Sequence, residues 1–217
     1  MSVESKIELL RTWVRLPPPP PFERSLKVNL ADYEDLDLNP KSKRNYKIIK
    51  VPVVKIQKCY EVAKDRRDLH KHHKSQNIFK TNSEYIGLLG ECGYGITKNK
   101  EPDWSRLICG DKYDFKFGEA YIDVKSTEYR NGVTLAPNAY KPFYNFIYVM
   151  TRCTEDGYVS LVGWLRGTEV DDTIKDQYNE NKKNGFIPED HFKDMVHLDQ
   201  VINEINNKPN KTNYYKV

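Results

Sequence analysis

Residues 110–127 read GDKYDFKFGEAYIDVKST, and this stretch decides the fold that we expect. β-Branched and aromatic residues alternate with polar ones on both sides of Gly118-Glu119, which is typical of two short strands joined by a tight turn. A two-residue turn at this position pairs Phe115 with Ile122 across the strands. The sequence therefore predicts a β-hairpin with a defined register.

The same register places three charged side chains close together. Because side chains alternate between the faces of a strand, Asp114, Asp123 and Lys125 are expected on one face of the hairpin. Two carboxylates directly opposite each other destabilise a strand pair, and a divalent cation removes that repulsion. Mg²⁺ is commonly held by one or two carboxylates together with water and substrate phosphate. The hairpin thus predicts a magnesium site with the ammonium group of Lys125 beside it.

A helix with a start signal precedes the hairpin. Thr81-Asn82-Ser83-Glu84 has the form of a capping box and predicts a helix over residues 81–94. Gly87 and Gly90 each cost such a helix about 1 kcal/mol relative to alanine, which predicts close packing on the hairpin. The glutamate of the capping box has a structural role, whereas Glu91 has none. Glu91 is therefore the predicted third acidic group of the site.

Asp114, the run Asp123-Val124-Lys125 and Glu91 on the preceding helix together resemble the signature of the PD-(D/E)XK nucleases. The resemblance covers roughly residues 80–200 and is to the small nucleases of phages and mobile elements. It implies a restriction-endonuclease-like core of α+β or α/β class, with a central mixed β-sheet flanked by helices. It also implies that the three carboxylates and the main-chain carbonyl of Val124 bind Mg²⁺, or Mn²⁺ in its place, and that the three carboxylates and Lys125 are catalytic.

The choice of the first carboxylate depends on the predicted register. Asp103 and Asp111 are alternatives to Asp114, because both also precede the strand that carries Asp123. Asp114 is preferred because it alone faces Asp123 across the hairpin. The plainer interpretation is an exposed hairpin whose charges are merely solvated.

Composition bounds the class of protein. The chain of 217 residues is long enough for one sizeable core with an appended arm, and its net charge of +4 permits nucleic-acid binding without requiring it. Four cysteines without a C-x-x-C pair indicate neither a zinc site nor a disulfide framework. The absence of a signal-peptide pattern or a membrane-length apolar run predicts a soluble, cytoplasmic protein that does not contact a membrane.

The chain is expected to divide near residue 75. Residues 1–75 are predicted to form an N-terminal extension, and residues 76–217 the nuclease-like core with a helical tail. Five consecutive prolines at residues 17–21 favour a polyproline II rod, which suits a stiff spacer or a ligand for an aromatic groove.

Hydrophobic patterns predict the remaining elements. β-Branched residues over 46–56 indicate one or two strands interrupted at Pro52, and residues 59–74 indicate a charged helix. Unbroken apolar runs at 145–153 and 158–165 predict two central strands covered on both faces. A loop is predicted over residues 128–141, and helices are predicted over 173–183 and 197–205.

Basic residues outside the hairpin are the predicted contacts to phosphate, because such contacts need positive charge and little precise geometry. They are Lys71, Lys74, Arg130 and Lys141. The site and the resemblance together predict a metal-dependent nuclease, which we take to be a DNA endonuclease, although the residues leave open DNA or RNA as substrate and cutting internally or from an end. It is expected to act as a homodimer if it cuts two strands by two-fold symmetry. The alternatives are a catalytically inactive nucleic-acid-binding protein on the same fold and an interaction protein that works through the proline-rich segment.

Overall fold

The structure is a computed structural model in which the chain divides into two compact units, Met1–Lys43 and Arg44–Val217. All the described residues belong to the second unit, which includes residues 46–70 of the predicted N-terminal extension. The polyproline stretch lies outside the described residues. The structure describes residues 46–70, 83–105, 113–128, 132–135, 140–170, 185–208 and 214, without the side chains of residues 69 and 70.

Strands and helices alternate irregularly along the described part of the chain. The elements are β1 (Lys47–Lys50), α1 (Val53–His70), α2 (Ser83–Lys98), β2 (Phe115–Phe117), β3 (Ala120–Thr127), β4 (Gly132–Leu135), β5 (Phe146–Cys153), β6 (Tyr158–Arg166), α3 (Gly167–Val170), β7 (Gly185–Pro188) and α4 (Leu198–Asn207). Short 3₁₀ turns occupy Glu189–His191 and Met195–His197. Within these described ranges, none of the helices combines the length and the apolar composition that crossing a bilayer requires.

The centre of the fold is a five-stranded mixed sheet in the order β1-β6-β5-β3-β2. β3 and β5 are parallel, and the other neighbouring strands are antiparallel. Every residue of β5 is buried, as is most of β6, because both strands lie inside the sheet and are covered on both faces. The prediction of two central strands and of a mixed sheet flanked by helices is confirmed.

Two apolar clusters lie on opposite faces of this sheet. Side chains of α1, α2 and α4 pack with Ile122 and Val124 of β3 on one face. Side chains of β4 and β7 pack with Tyr121 of β3 and with Tyr148 and Met150 of β5 on the other face. The even-numbered residues of β3 thus point towards the helices, and its odd-numbered residues point towards the small β4–β7 sheet.

The beginning of the described chain differs from prediction. Of the apolar run over residues 46–56, only Lys47–Lys50 is a strand, and α1 already begins at Val53. The carbonyl of Pro52 accepts hydrogen bonds from the N–H groups three and four residues ahead, at 2.8 and 3.0 Å, so this proline starts the helix. Val53 is 74% exposed, so its apolar side chain does not mark a buried strand. Of the one or two strands predicted here, one forms, and the charged helix begins before residue 59.

The segment after the hairpin also differs from prediction. Gly132–Leu135 forms β4 within the predicted loop of residues 128–141, and it pairs antiparallel with β7. A four-residue strand whose partner lies far along the chain gives almost no local signal. The loop prediction is wrong at these residues.

Helices α2 and α4 agree better with the sequence prediction. α2 buries Tyr85, Leu88, Leu89 and Cys92, as predicted, and continues to Lys98 instead of ending near residue 94. α4 confirms the amphipathic helix predicted over 197–205. The Thr81 cap and the helix predicted over 173–183 lie outside the described residues.

Candidate functional site

The hairpin adopts the predicted register. Phe115 pairs with Ile122, and the turn residue Gly118 has a φ of +62°, which L side chains rarely adopt. The turn is fixed from outside, because the N–H of Glu119 donates a 2.8 Å hydrogen bond to Oδ1 of Asn206 on α4. The hairpin is therefore anchored to α4 at its turn, and its charged side chains have defined positions.

Asp114 completes the edge of β3 with its side chain. Its N–H donates to the carbonyl of Ile122 at 2.9 Å, and its Oδ2 accepts the N–H of Val124 at 2.6 Å. β2 begins only at Phe115, so the carboxylate takes the place that a backbone carbonyl of a longer strand would occupy. The Asp114 carboxylate thus lies along the edge of β3, the strand that carries Asp123 and Lys125.

Asp123 and Lys125 are alternate residues of β3, so their side chains share one face with that of Tyr121. Asp123 is only 8% exposed, and the Nζ of Lys125 lies 2.8 Å from its Oδ1. Tyr148 lies opposite Asp123 on the parallel strand β5. A buried carboxylate requires a charged or hydrogen-bonding partner, and Lys125 provides one.

Glu91 reaches this group from α2. Burial raises the pKa of Asp114 well above its ordinary range, and the charges of Glu91 and Asp123 raise it further. The ammonium of Lys125 and the Val124 N–H oppose this shift without cancelling it. Glu91, Asp114, Asp123 and Lys125, predicted from the sequence as one site, are therefore close enough to interact electrostatically.

The ammonium of Lys125 is favoured by the same carboxylates. Burial alone lowers the pKa of Lys125, but Asp123, Asp114 and Glu91 outweigh burial and raise that pKa above its ordinary value. Lys125 is therefore positively charged at neutral pH.

Gly90 explains how Glu91 comes so close to the sheet. A Cβ at Gly90 would lie 2.0 Å from Oγ of Ser126 and 2.3 Å from Oγ1 of Thr151, so α2 packs directly on β3 and β5. This confirms the predicted close packing at Gly90. Gly87 differs, because a Cβ there would meet no atom of the described residues within 4 Å.

We expect alanine at these two glycines to have opposite effects on stability. Gly90→Ala should lower the free energy of unfolding by about 1–3 kcal/mol, because both hydroxyls must move and their mutual 2.9 Å hydrogen bond is broken. Gly87→Ala should raise that free energy by up to about 1 kcal/mol, because alanine favours the helix and nothing obstructs it. Urea unfolding of both variants measures this difference. Shifts in the same direction would contradict the packing described here.

Of the two alternative first carboxylates, only Asp103 lies within the described residues. Asp103 accepts hydrogen bonds from the N–H and the hydroxyl of Ser105, at 2.8 and 3.0 Å, within a local turn. Asp111 lies outside the described residues.

Of the predicted phosphate contacts, only Lys141 falls within the described residues. Its N–H donates a 2.7 Å hydrogen bond to the hydroxyl of Tyr148, the ring beside Asp123. The Lys141 segment therefore lies over the face of the sheet that carries Asp123. The other three predicted contacts, Lys71, Lys74 and Arg130, lie outside the described residues.

Aromatic residues of the site were missed from the sequence. Tyr121 alternates with Asp123 and Lys125 on β3, and the ring of Tyr113, beside Asp114, packs against it. The sequence does place Tyr121 on this face, because it lies two residues before Asp123 and side chains alternate between the faces of a strand. The abundance of tyrosine elsewhere in the chain obscured it.

The carboxylates suit a hard cation without forming a closed cage. Across the described ranges, no group of three or more His, Cys, Asp and Glu side chains is arranged to hold a metal ion. Mg²⁺ needs only one or two carboxylates when water and substrate phosphate complete its shell. Asp114 and Asp123 each use one oxygen for a contact within the protein. The oxygen donors therefore fit a Mg²⁺ ion that shares its remaining positions with water and substrate.

The fold and the site together define a mixed α/β protein with an acidic and basic cluster at the edge of a central strand. No protein-family model matches the chain, and no curated protein or solved structure matches it. A function can therefore be inferred only from the geometry of Glu91, Asp114, Asp123 and Lys125.

Proposed function

We propose that this protein is a metal-dependent nuclease of the PD-(D/E)XK type, which hydrolyses phosphodiester bonds of DNA as an endonuclease. The observation that supports this proposal is the concentration of three carboxylates and one ammonium group at the edge of β3. Its support in the fold is the order of elements, in which a helix carrying Glu91 precedes a hairpin carrying Asp114 and Asp123. A restriction-endonuclease-like core is part of the same proposal.

A purely structural role explains this cluster poorly. Asp123 is buried, and the pKa of Asp114 is raised by burial and by two neighbouring carboxylates, so the cluster costs the protein stability at neutral pH. Perturbed and mutually interacting acidic groups concentrate at functional sites. A phosphodiester with a bound cation would contact both kinds of group, because the cation binds the carboxylates and the phosphate pairs with the ammonium.

In this proposal Asp114 and Asp123, with the Val124 carbonyl, would hold Mg²⁺ or Mn²⁺, and Glu91, which forms no three-carboxylate cage with them, would add negative charge beside the ion. The bound ion supplies Lewis acidity towards the phosphoryl oxygen and lowers the pKa of a water molecule. The 2.6 Å hydrogen bond from the Val124 N–H orients the Asp114 carboxylate before any ligand binds. The chain thus contributes oriented oxygen ligands at a fixed edge of the sheet.

Lys125 contributes positive charge where the transition state is most negative. The pKa of Lys125 is raised, and a protonated amine stabilises the developing charge on phosphate and orients the attacking water. Deprotonation of that water by Lys125 would require the neutral amine, which the surrounding carboxylates disfavour. We therefore assign Lys125 to charge stabilisation.

Cleavage of supercoiled plasmid and of single-stranded DNA by the purified protein, with Mg²⁺ or Mn²⁺ titrated in, tests the proposal. Wild-type protein should cleave only with metal, and Asp123→Ala should be slower by at least about 100-fold. Asp156→Ala is the matched control, because Asp156 is a partly exposed aspartate that pairs with Lys50 at 3.7 Å. Equal cleavage by wild type and Asp123→Ala would exclude this site.

A further inference from the structure

The face of the hairpin that carries Asp123 continues into an aromatic strip, which we define as Tyr113, Lys116 and Tyr121. Tyr121 shares the face of Asp123, and Lys116 lies directly opposite Tyr121 on β2. The rings of Tyr113 and Tyr121 pack with centroids 4.8 Å apart and planes inclined by 59°. The strip therefore extends from the site towards the turn of the hairpin.

The strip has a buried floor and an accessible rim. Tyr121 is 4% exposed, whereas Tyr113 is half-buried and Lys116 is exposed. The Nζ of Lys116 lies 4.9 Å from the centroid of the Tyr121 ring. Because side chains of β4 and β7 pack on the Tyr121 floor, a ligand would meet the strip at its rim, which is the ring of Tyr113 and the ammonium of Lys116.

A similar combination lies on the other side of Asp123. Lys141 is tied through its N–H to the hydroxyl of Tyr148, and Tyr140 and Phe143 pack half-buried against the same apolar cluster. Aromatic side chains therefore flank the carboxylates in both directions along this face, and the backbone of a second lysine lies among them.

Only an unpaired base presents its ring face to a protein, because the bases of a duplex stack on one another. Aromatic side chains next to positive charge are the usual platform for single strands, since the rings stack on bases and the charges follow the backbone. We propose that the aromatic strip binds an unpaired nucleic-acid strand and delivers its phosphate to Asp123. The cleavage of that strand rests on the proposed function, whereas its binding does not.

Binding in the presence of EDTA tests the strip without cleavage. The probes are a labelled oligothymidine of about 12 nucleotides and a duplex of the same length, measured by fluorescence anisotropy. We expect Tyr113→Leu to weaken single-strand binding about tenfold and duplex binding less than about twofold, because only the single strand loses a stacking partner. Tyr113→Phe should bind as the wild type does, since it keeps the ring. Lys116→Ala should reduce the slope of log affinity against log salt by about 0.7.

Tyr158→Leu is the matched control. Tyr158 is another half-buried tyrosine, with the Nζ of Lys50 at 3.9 Å from its ring centroid, and it lies on β6, which β5 separates from β3. Its substitution should leave both affinities unchanged. Thermal unfolding of each variant confirms that it is folded. The proposal is overturned if Tyr113→Leu binds the single strand as tightly as wild type, or if Tyr113→Phe loses as much affinity as Tyr113→Leu.

Parallel cleavage assays separate this proposal from the proposed function. If wild-type protein cleaves DNA with Mg²⁺ and Tyr113→Leu affects neither binding nor cleavage of single strands, only the strip is excluded. If single-strand binding depends on Tyr113 but neither Mg²⁺ nor Mn²⁺ supports cleavage, the strip stands and the nuclease proposal fails.

Discussion

Lys125→Met is expected to slow metal-dependent DNA cleavage by about 10²–10³-fold while leaving Mg²⁺ binding intact. Methionine keeps most of the apolar stem and removes the ammonium that lies 2.8 Å from Oδ1 of Asp123. The lost charge no longer stabilises the phosphate during attack. Because the ammonium competes with a cation for the same carboxylate, its removal should not weaken the binding of Mg²⁺. Single-turnover cleavage at saturating Mg²⁺, together with a calorimetric Mg²⁺ titration, measures both quantities.

Lys50→Met provides the control for this experiment. Lys50 is an exposed lysine of β1, at the opposite edge of the sheet from the hairpin, and its Nζ also lies near a carboxylate, that of Asp156 at 3.7 Å. The Lys50→Met variant should cleave DNA as fast as the wild type does. Unchanged cleavage by Lys125→Met would remove Lys125 from the chemistry. Loss of Mg²⁺ binding together with cleavage would mean that Lys125 only maintains the structure of the site.

Asp114→Asn is expected to stabilise the metal-free protein at neutral and basic pH and to abolish its response to Mg²⁺. Asparagine keeps an oxygen acceptor for the Val124 N–H, so the edge of β3 remains satisfied. It removes the negative charge whose pKa is raised by burial and then by Glu91 and Asp123. The result is a variant that is more stable without metal and inactive with it.

The pH dependence follows from the direction of that pKa shift. A carboxyl whose pKa is raised on folding binds protons more tightly in the folded state, so its contribution to stability is lost as pH rises from about 4 through the folded pKa. In EDTA the thermal midpoint of Asp114→Asn should therefore exceed that of wild type at pH 8. The two midpoints should converge as pH falls towards about 4.

Added Mg²⁺ provides the second half of this test. A ligand that binds only the folded state raises the unfolding midpoint, so Mg²⁺ should raise the midpoint of wild type and of Asp156→Asn but not that of Asp114→Asn. If Asp114→Asn is less stable than wild type at every pH, Asp114 is a structural residue. An equal Mg²⁺ response in all three proteins would place the metal elsewhere.

Local patterns were sufficient to predict the hairpin and the central strands. The register between Phe115 and Ile122 follows from the alternation of apolar and polar residues around a glycine-containing turn, which is information within a few residues. The apolar run of β5 follows from its burial on both faces. Glu91 is predicted from the capping box and the glycines of its helix, and the structure places it within electrostatic range of Asp114 and Lys125.

The remaining features depend on particular hydrogen bonds and strand pairings, some of which join residues that are distant in sequence. β4 has a partner only in β7, and the change from strand to helix at Pro52 depends on hydrogen bonds that the β-branched run disguised. The position of the Asp114 carboxylate depends on where β2 begins, because the side chain replaces a missing backbone acceptor. None of these three features is visible in the alternation of residue types, which fixes the face of a side chain but not the length of a strand pair.

The most direct test of the proposed metal site is diffraction from crystals grown with Mn²⁺, recorded for its anomalous signal. We expect a peak at about 2.1 Å from carboxylate oxygens of Asp114 and Asp123, beside Lys125, and no peak there in crystals of Asp123→Ala. Wild-type crystals with no anomalous density between those two carboxylates, or with the ion bound at another place on the protein, would contradict it.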